Sequence, residues 1–278
     1  MAEFLAAMRL ASERRVELLL REVGQGRLEK AVAAAAGPAA LGVSGAGFDV
    51  IAEIKRRSPS AGRLEPAGGG PLTVAQRARM YAAAGAAAIS VLTEPDEFGG
   101  SLDDLTAAAA AVQIPVLRKD FLVHPIQVLE ARAAGASGVL IIVRLLEDGP
   151  LLAMLDAVRR CGMFVLLEAF DGHDLSRAGR LLHTAPDLTA LVGLNSRDLR
   201  TLRVDALRFE RLADSLPGGL IAVAESGLSD PSQARSVVRL GYRMALIGGA
   251  LMSAADPAQA LSGLIAAGRQ EAEACASA

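Results

Sequence analysis

From residue 50 onward the chain repeats one pattern eight times: a short, nearly all-apolar run, then a stretch of helical character. The apolar runs are Val50–Lys55, Ala87–Leu92, Pro115–Lys119, Gly138–Val143, Phe164–Glu168, Leu188–Leu194, Leu220–Ala224 and Met244–Ile247. Helices are expected near Thr73–Ala84, Ser101–Ala111, Pro125–Ala134, Glu147–Arg160, Asp171–Leu182, Asp205–Ser215, Asp230–Leu240 and Pro257–Arg269. Runs this apolar fit parallel strands whose outer face is covered by helices. Eight such units predict closure into a barrel. An open doubly wound sheet would more naturally use fewer strands and a glycine-rich dinucleotide loop after the first. Ser58-Pro59-Ser60 stands in that loop instead. The fold class is therefore α/β, a (β/α)8 TIM barrel.

Ahead of the repeat, Ala2–Ala36 reads as helical, with Phe4, Leu5, Met8, Ala11, Val16, Leu19, Leu20 and Val23 at three- and four-residue steps. Gly24 and Gly26 interrupt it and Gly37-Pro38 ends it. The expected organisation is one domain over residues 1–278: a helical extension (1–47), the barrel (48–269) and a disordered, Ala-rich tail (270–278). With 52% apolar residues among 278, a large core is available. A net charge of −2 and the lack of a basic run give no nucleic-acid surface. No run approaches the roughly 18 apolar residues of a membrane span. The acid-containing N-terminal stretch does not read as a secretory signal. Cys161 and Cys275 form neither a metal-binding spacing nor a disulfide framework, which fits a reducing, cytoplasmic setting.

The polar residues fall at the C-terminal ends of the apolar runs. Side chains alternate along a strand, so Glu53 and Lys55 point the same way at the end of the first. Taken alone, that pair reads equally well as a structural salt bridge. The second run leads into Thr93 and Glu94, and the third ends in Arg118, Lys119 and Asp120. The fifth ends in Glu168, the sixth in Asn195, Ser196, Arg197 and Asp198, and the seventh in Glu225, Ser226 and Gly227. Each has a structural reading: Arg118 snorkelling to solvent, Asp120 or Asp198 capping the next helix, His124 as a loop residue, His173 and His183 as solvated helix positions. In a parallel barrel all these ends share the face where active sites form. The last two loops carry Ser226-Gly227 and Gly248-Gly249. Glycines there either simply turn the chain or let backbone N–H groups cradle a phosphate.

Six motifs then align in order: IAEIKRRSPS (Ile51–Ser60), ISVLTEPDEFGGS (Ile89–Ser101), PVLRKDF (Pro115–Phe121), GLNSRDLRTL (Gly193–Leu202), VAESG (Val223–Gly227) and LIGGALM (Leu246–Met252). With these the chain resembles the indole-3-glycerol-phosphate synthase family over about residues 49–262. The resemblance implies conversion of 1-(2-carboxyphenylamino)-1-deoxyribulose 5-phosphate to indole-3-glycerol phosphate, with loss of carbon dioxide and water, in tryptophan biosynthesis. It implies no metal and no organic cofactor. The one partner expected is the phosphorylated substrate, with no nucleic acid and no membrane, in a monomer or weak homo-oligomer.

By the same resemblance Lys119 is the acid for ring closure, and Lys55, Glu168 and Glu53 serve the later proton transfers, their roles open among them. Asn195, Arg197, Glu225 and Ser226 match substrate-binding positions. Phe98, Phe121, Leu140 and Leu199 line the aromatic slot, and Ser58, Gly227, Gly248 and Gly249 hold the phosphate. The chain departs from the family pattern in a glycine-rich first loop (Gly62–Thr73), in Ser196 where many members carry a second Asn, in Gly249, and in Ala169-Phe170. Two alternatives remain. A related phosphosugar barrel such as phosphoribosylanthranilate isomerase would carry Cys at the end of the first strand. A catalytically silent barrel would be favoured by loss of Lys119 or Glu168, and both are present.

Overall fold

The computed structural model describes residues 2–45, 47–58, 62–63, 72–198, 201 and 203–277. Eight strands close a barrel: β1 (Asp49–Ile54), β2 (Ala88–Leu92), β3 (Val116–Lys119), β4 (Gly138–Ile142), β5 (Phe164–Ala169), β6 (Ala190–Asn195), β7 (Ile221–Glu225) and β8 (Met244–Ile247). Each pairs in parallel with its sequence neighbours, and β8 returns to β1 through Asp49↔Met244 to Ala52↔Ile247. Nearly every strand residue is buried, as strands sealed on both faces require. Parallel strands need long crossovers, and the helices supply them.

Outside the barrel run α3 (Val74–Ala83), α4 (Leu102–Ala109), α5 (Pro125–Ala133), α6 (Asp148–Arg160), α7 (Gly172–Leu182), the short α8 (Leu207–Arg211), α9 (Pro231–Arg239) and α11 (Pro257–Ala276). A one-turn helix, α10 (Gly249–Ser253), follows β8 directly. Polar caps start most of the outer helices. Thr73, His124 and Asp230 form reciprocal capping boxes with Gln76, Gln127 and Gln233, satisfying N–H groups that a helix start leaves without partners. His124 accepts from Ile126 N–H through Nδ1 at 3.2 Å, which gives it a structural task.

The extension forms α1 (Ala2–Glu22) and α2 (Gln25–Ala34), broken at Gly24, whose φ is 77°. Leu5 and Met8 of α1 join the main core, while Val16 and Leu28 pack with Ile126 of α5. In the first βα loop, Arg57–Ser58 pair antiparallel with Gly62–Arg63.

Three expectations are corrected. Residues 270–276 are not a disordered tail: α11 continues to Ala276, through a run of strong helix formers. Ala272 rests against Gly47, and Glu271 accepts from Arg239 at 3.0 Å. Arg118 does not reach solvent; only 3% is exposed, and it bonds Thr93, Asp120, the Gln127 carbonyl and Glu130. Neither Asp120 nor Asp198 is the N-cap of a helix among the described residues: Asp120 accepts from Phe121 N–H and Thr93, and Asp198 accepts from Thr201 N–H.

Candidate active site

The strand-end polar residues meet at one mouth of the barrel, around a cavity of about 430 Å³. That volume suits a small organic ligand. Barrel interiors are built in layers of four side chains from alternate strands. Here β1, β3, β5 and β7 send Glu53, Lys119, Glu168 and Glu225 into the cavity wall, so the uppermost layer is ionisable instead of aliphatic. The intervening strands make room. A side chain at Gly193 of β6 would strike the Glu225 carboxylate, and one at Gly248, after β8, would strike Glu53.

Lys119 is the hub. Its Nζ lies 3.3 Å from Glu168 Oε1 and 3.3 Å from Glu225 Oε2. Burial by itself would lower its proton affinity. Glu168, Glu225 and Glu53 together outweigh that and hold the ammonium well above the ordinary lysine range. Burial pushes the Glu225 carboxyl up to about 8; Lys119 opposes the shift and Glu168 adds to it. Glu225 Oε1 is buried without a hydrogen-bond partner. Asn195 Nδ2 donates to Glu168 Oε1 at 2.7 Å and so orients that carboxylate.

The Glu53–Lys55 pair is a close contact, Nζ to Oε1 at 2.6 Å, with the lysine 14% exposed and the glutamate 4%. Burial alone would raise the Glu53 carboxyl, but Lys55, Lys119 and Arg197 prevail and hold it below the usual carboxylate range. Lys55 thus faces the cavity beside an ionised partner, and Arg197 lines the same cavity.

One end of the cavity is apolar. Phe98 and Phe121 lie with centroids 6.2 Å apart at a 35° tilt, and Leu140, Ile142 and Phe170 add to the apolar lining. Phe170 is braced by the Arg144 guanidinium, 4.9 Å from the ring centroid. The other end is polar backbone: Ser226, Gly227, Gly248 and Gly249 all reach the cavity. Gly249 begins α10, where N–H groups have no acceptor within the helix. Ser58 is in the first-loop ladder with its side chain outside the described residues, as is the whole of Leu199.

Two contributors have no counterpart in the sequence reading. Phe4, in the first turn of α1, lines the cavity and meets Phe121 edge to face at 5.9 Å. Arg15, three turns further along α1, contacts Asp120 at 2.9 Å and Glu94 at 3.6 Å. The buried Glu94 carboxylate accepts from the N–H groups of Asp96, Glu97 and Phe98, and Asp120 accepts from that of Phe121. One arginine of the extension therefore steadies both loops that carry the aromatic wall. The apolar period of α1 marks its buried stripe but says nothing of which strand ends it crosses.

A family model described as indole-3-glycerol phosphate synthase matches residues 11–264. The indole-3-glycerol phosphate synthase of Mycobacterium ulcerans (strain Agy99) is 43% identical over 258 residues, 91% of each chain. That of Parafrankia sp. (strain EAN1pec) is 47% identical over 220 residues, covering 79% of this chain and 78% of the relative. Among solved structures, phosphoribosylanthranilate isomerase from Thermotoga maritima superposes with a TM-score of 0.54 at 12% identity, covering 80% of this chain and 99% of that one. Thiamine phosphate pyrophosphorylase from Pyrococcus furiosus gives 0.56 at 15%, covering 81% and 97%. At such identities these two share the barrel fold alone. The family match over most of the chain and the identity to its relatives place the protein in the indole-3-glycerol phosphate synthase family.

Proposed function

We infer that the protein catalyses the closure of 1-(2-carboxyphenylamino)-1-deoxyribulose 5-phosphate to indole-3-glycerol phosphate, with loss of carbon dioxide and water. The observation that carries this is Lys119, a half-buried ammonium in contact with Glu168 and Glu225, in one cavity lined both by aromatic side chains and by the glycine-bearing ends of β7 and β8. The substrate has the matching parts: an aromatic ring, a ketone, a phosphate.

The aryl ring enters between Phe98, Phe121 and Leu140, and its carboxylate meets the cations Lys55 and Arg197. The phosphate occupies the end built by Ser226, Gly227, Gly248 and Gly249, with Ser58 closing from the first loop. Ring closure joins the carboxyl-bearing aromatic carbon to the ketone carbon, and the ketone oxygen becomes an alkoxide. Lys119 donates to that oxygen. An alkoxide is far more basic than any lysine, so the raised proton affinity of Lys119 does not prevent transfer. Carbon dioxide leaves and the bond pair restores the aromatic ring. The new hydroxyl departs as water with a proton from Lys55, and Glu168 takes the proton lost from the heterocycle as the double bond forms. Glu53 orients Lys55 through their 2.6 Å contact. Glu225, neutral below about pH 8, stands against Lys119 as a second proton source, a role beyond the substrate contact expected of it. Positioned acids and bases of this kind contribute on the order of 10²–10⁴-fold each.

Incubation of the purified protein with the carboxyphenylamino-deoxyribulose phosphate tests the reading by indole fluorescence; a folded protein giving none would overturn it. We further propose a monomer or weak homo-oligomer in a reducing, cytoplasmic setting. A tight dimer in sedimentation velocity would correct the first point, and fractionation tests the second.

A further inference from the structure

Ser196, just past the end of β6, is fully buried, yet no step above uses it. Its N–H donates to the Glu225 carbonyl at 2.9 Å, and its own carbonyl accepts from Asp205 N–H at 3.0 Å. The residue is held from both sides, and its hydroxyl donates to the Ser226 carbonyl at 3.0 Å. Among the described residues Ser226 is the one non-glycine with positive φ, at 67°, and Gly227 follows at 79°. A residue with a Cβ persists in that region when its surroundings impose it, and such residues concentrate at functional sites.

We propose that Ser196 is a positioning residue of the phosphate cradle: its hydroxyl pins the Ser226 carbonyl and so aims the Gly227 N–H at the substrate phosphate. The proposal rests on the glycine-lined end being the phosphate site. A trans peptide is planar, with its N–H opposed to its C=O. The Ser226 carbonyl points back toward the end of β6, so the Gly227 N–H points away from it. The other neighbour of β7 is β8, whose end carries Gly248-Gly249. The turn is also walled from behind. A Cβ at Gly227 would sit 2.6 Å from Val204 Cγ1 and 3.0 Å from Ser196 Oγ, and Val204 is held by its bridge to Arg197. The turn cannot relax toward β6 without meeting that wall. It is left open on the side where the anion binds.

The test compares Ser196→Ala, which deletes the pin, with Ser196→Thr, which keeps a hydroxyl. Inorganic phosphate probes the cradle and 2-(methylamino)benzoate probes the aromatic end, each as a competitive inhibitor of turnover. In Ser196→Ala, KM and the phosphate inhibition constant rise together by roughly three- to tenfold, the span of one hydrogen bond. Meanwhile kcat falls less than KM rises, and the benzoate constant holds. Ser196→Thr returns the phosphate constant toward the parent value. An unchanged phosphate constant in Ser196→Ala overturns the proposal. So does an equal rise for both probes, which would mean general loosening. Phosphate that fails to compete in the parent protein removes the cradle itself, and that outcome is distinct because no variant is needed to see it.

Discussion

Lys119 and Glu225 sit in contact, and each alters what the other can do. The acids around Lys119, Glu168 foremost, outweigh its burial and hold its proton, so in the proposed mechanism the lysine enters the reaction charged. Replacing it with Ala removes the donor assigned to the ketone oxygen. We expect Lys119→Ala to lower kcat by on the order of 10³-fold or more, while inorganic phosphate still competes for the glycine-lined end. Turnover close to the parent in steady-state kinetics would reassign the acid. Glu225 gives a pH signature. It is protonated below about 8 and ionised above, and ionisation removes its proton while tightening the hold on that of Lys119. Turnover should therefore fall as pH rises through about 8. Glu225→Gln keeps a neutral side chain of the same shape and should flatten that limb in a kcat–pH profile. A limb unmoved in the variant belongs to another group.

At the scale of elements, α1 is more than a cover on one end of the barrel. Phe4 and Arg15 lie 11 residues apart, about 16 Å along a helix. They reach Phe121 directly and the Phe98 and Phe121 loops through Glu94 and Asp120. Arg15→Met leaves those buried carboxylates with one cation fewer. We expect a loss on the order of 1–2 kcal/mol, seen as a Tm drop of about 2–4 °C per kcal/mol, with a rise in KM from the loosened aromatic wall. A variant that loses Tm with KM unchanged would confine Arg15 to stability. The end of α11 makes a separate prediction. Its last turns contact Gly47 and Arg239, so truncation after Arg269 should lower the Tm in thermal melts; an unchanged Tm would show those turns to be dispensable.

Over the whole molecule, an ionisable top layer is a stability liability accepted for chemistry. Glu225 titrates near 4.5 when unfolded and near 8 when folded, so between those values the native state holds the extra proton. Its contribution to stability is full below about 4.5 and is lost as pH rises through about 8. The Tm of Glu225→Gln should accordingly gain on that of the parent between pH 5 and pH 8; a constant difference across that range would overturn the assignment.

The barrel was legible along the chain because its signals are local. Eight apolar runs, their turn residues and their caps each declare an element within about ten residues, and parallel pairing of eight units leaves closure as the economical arrangement. The strand-end positions of Glu53, Lys119, Glu168 and Glu225 followed from the same repeat. Their partners did not, because a salt bridge between β3 and β7 spans 106 residues and depends on register and side-chain direction. Arg118 illustrates the limit: its sequence neighbours suggest a surface cation, and the packed α5 and Thr93, just after β2, supply most of the acceptors that bury it. Phe4 and Arg15 needed the crossing of α1 over two loops, and the left-handed Ser226 needed the Ser196 hydroxyl behind it. The sequence by itself determined which elements form and which end of the barrel is polar, since propensity and periodicity act over a few residues. Only the tertiary structure decided which charges pair, which carboxyl keeps its proton and which backbone faces the cavity, because those depend on groups brought within a few ångströms from distant parts of the chain.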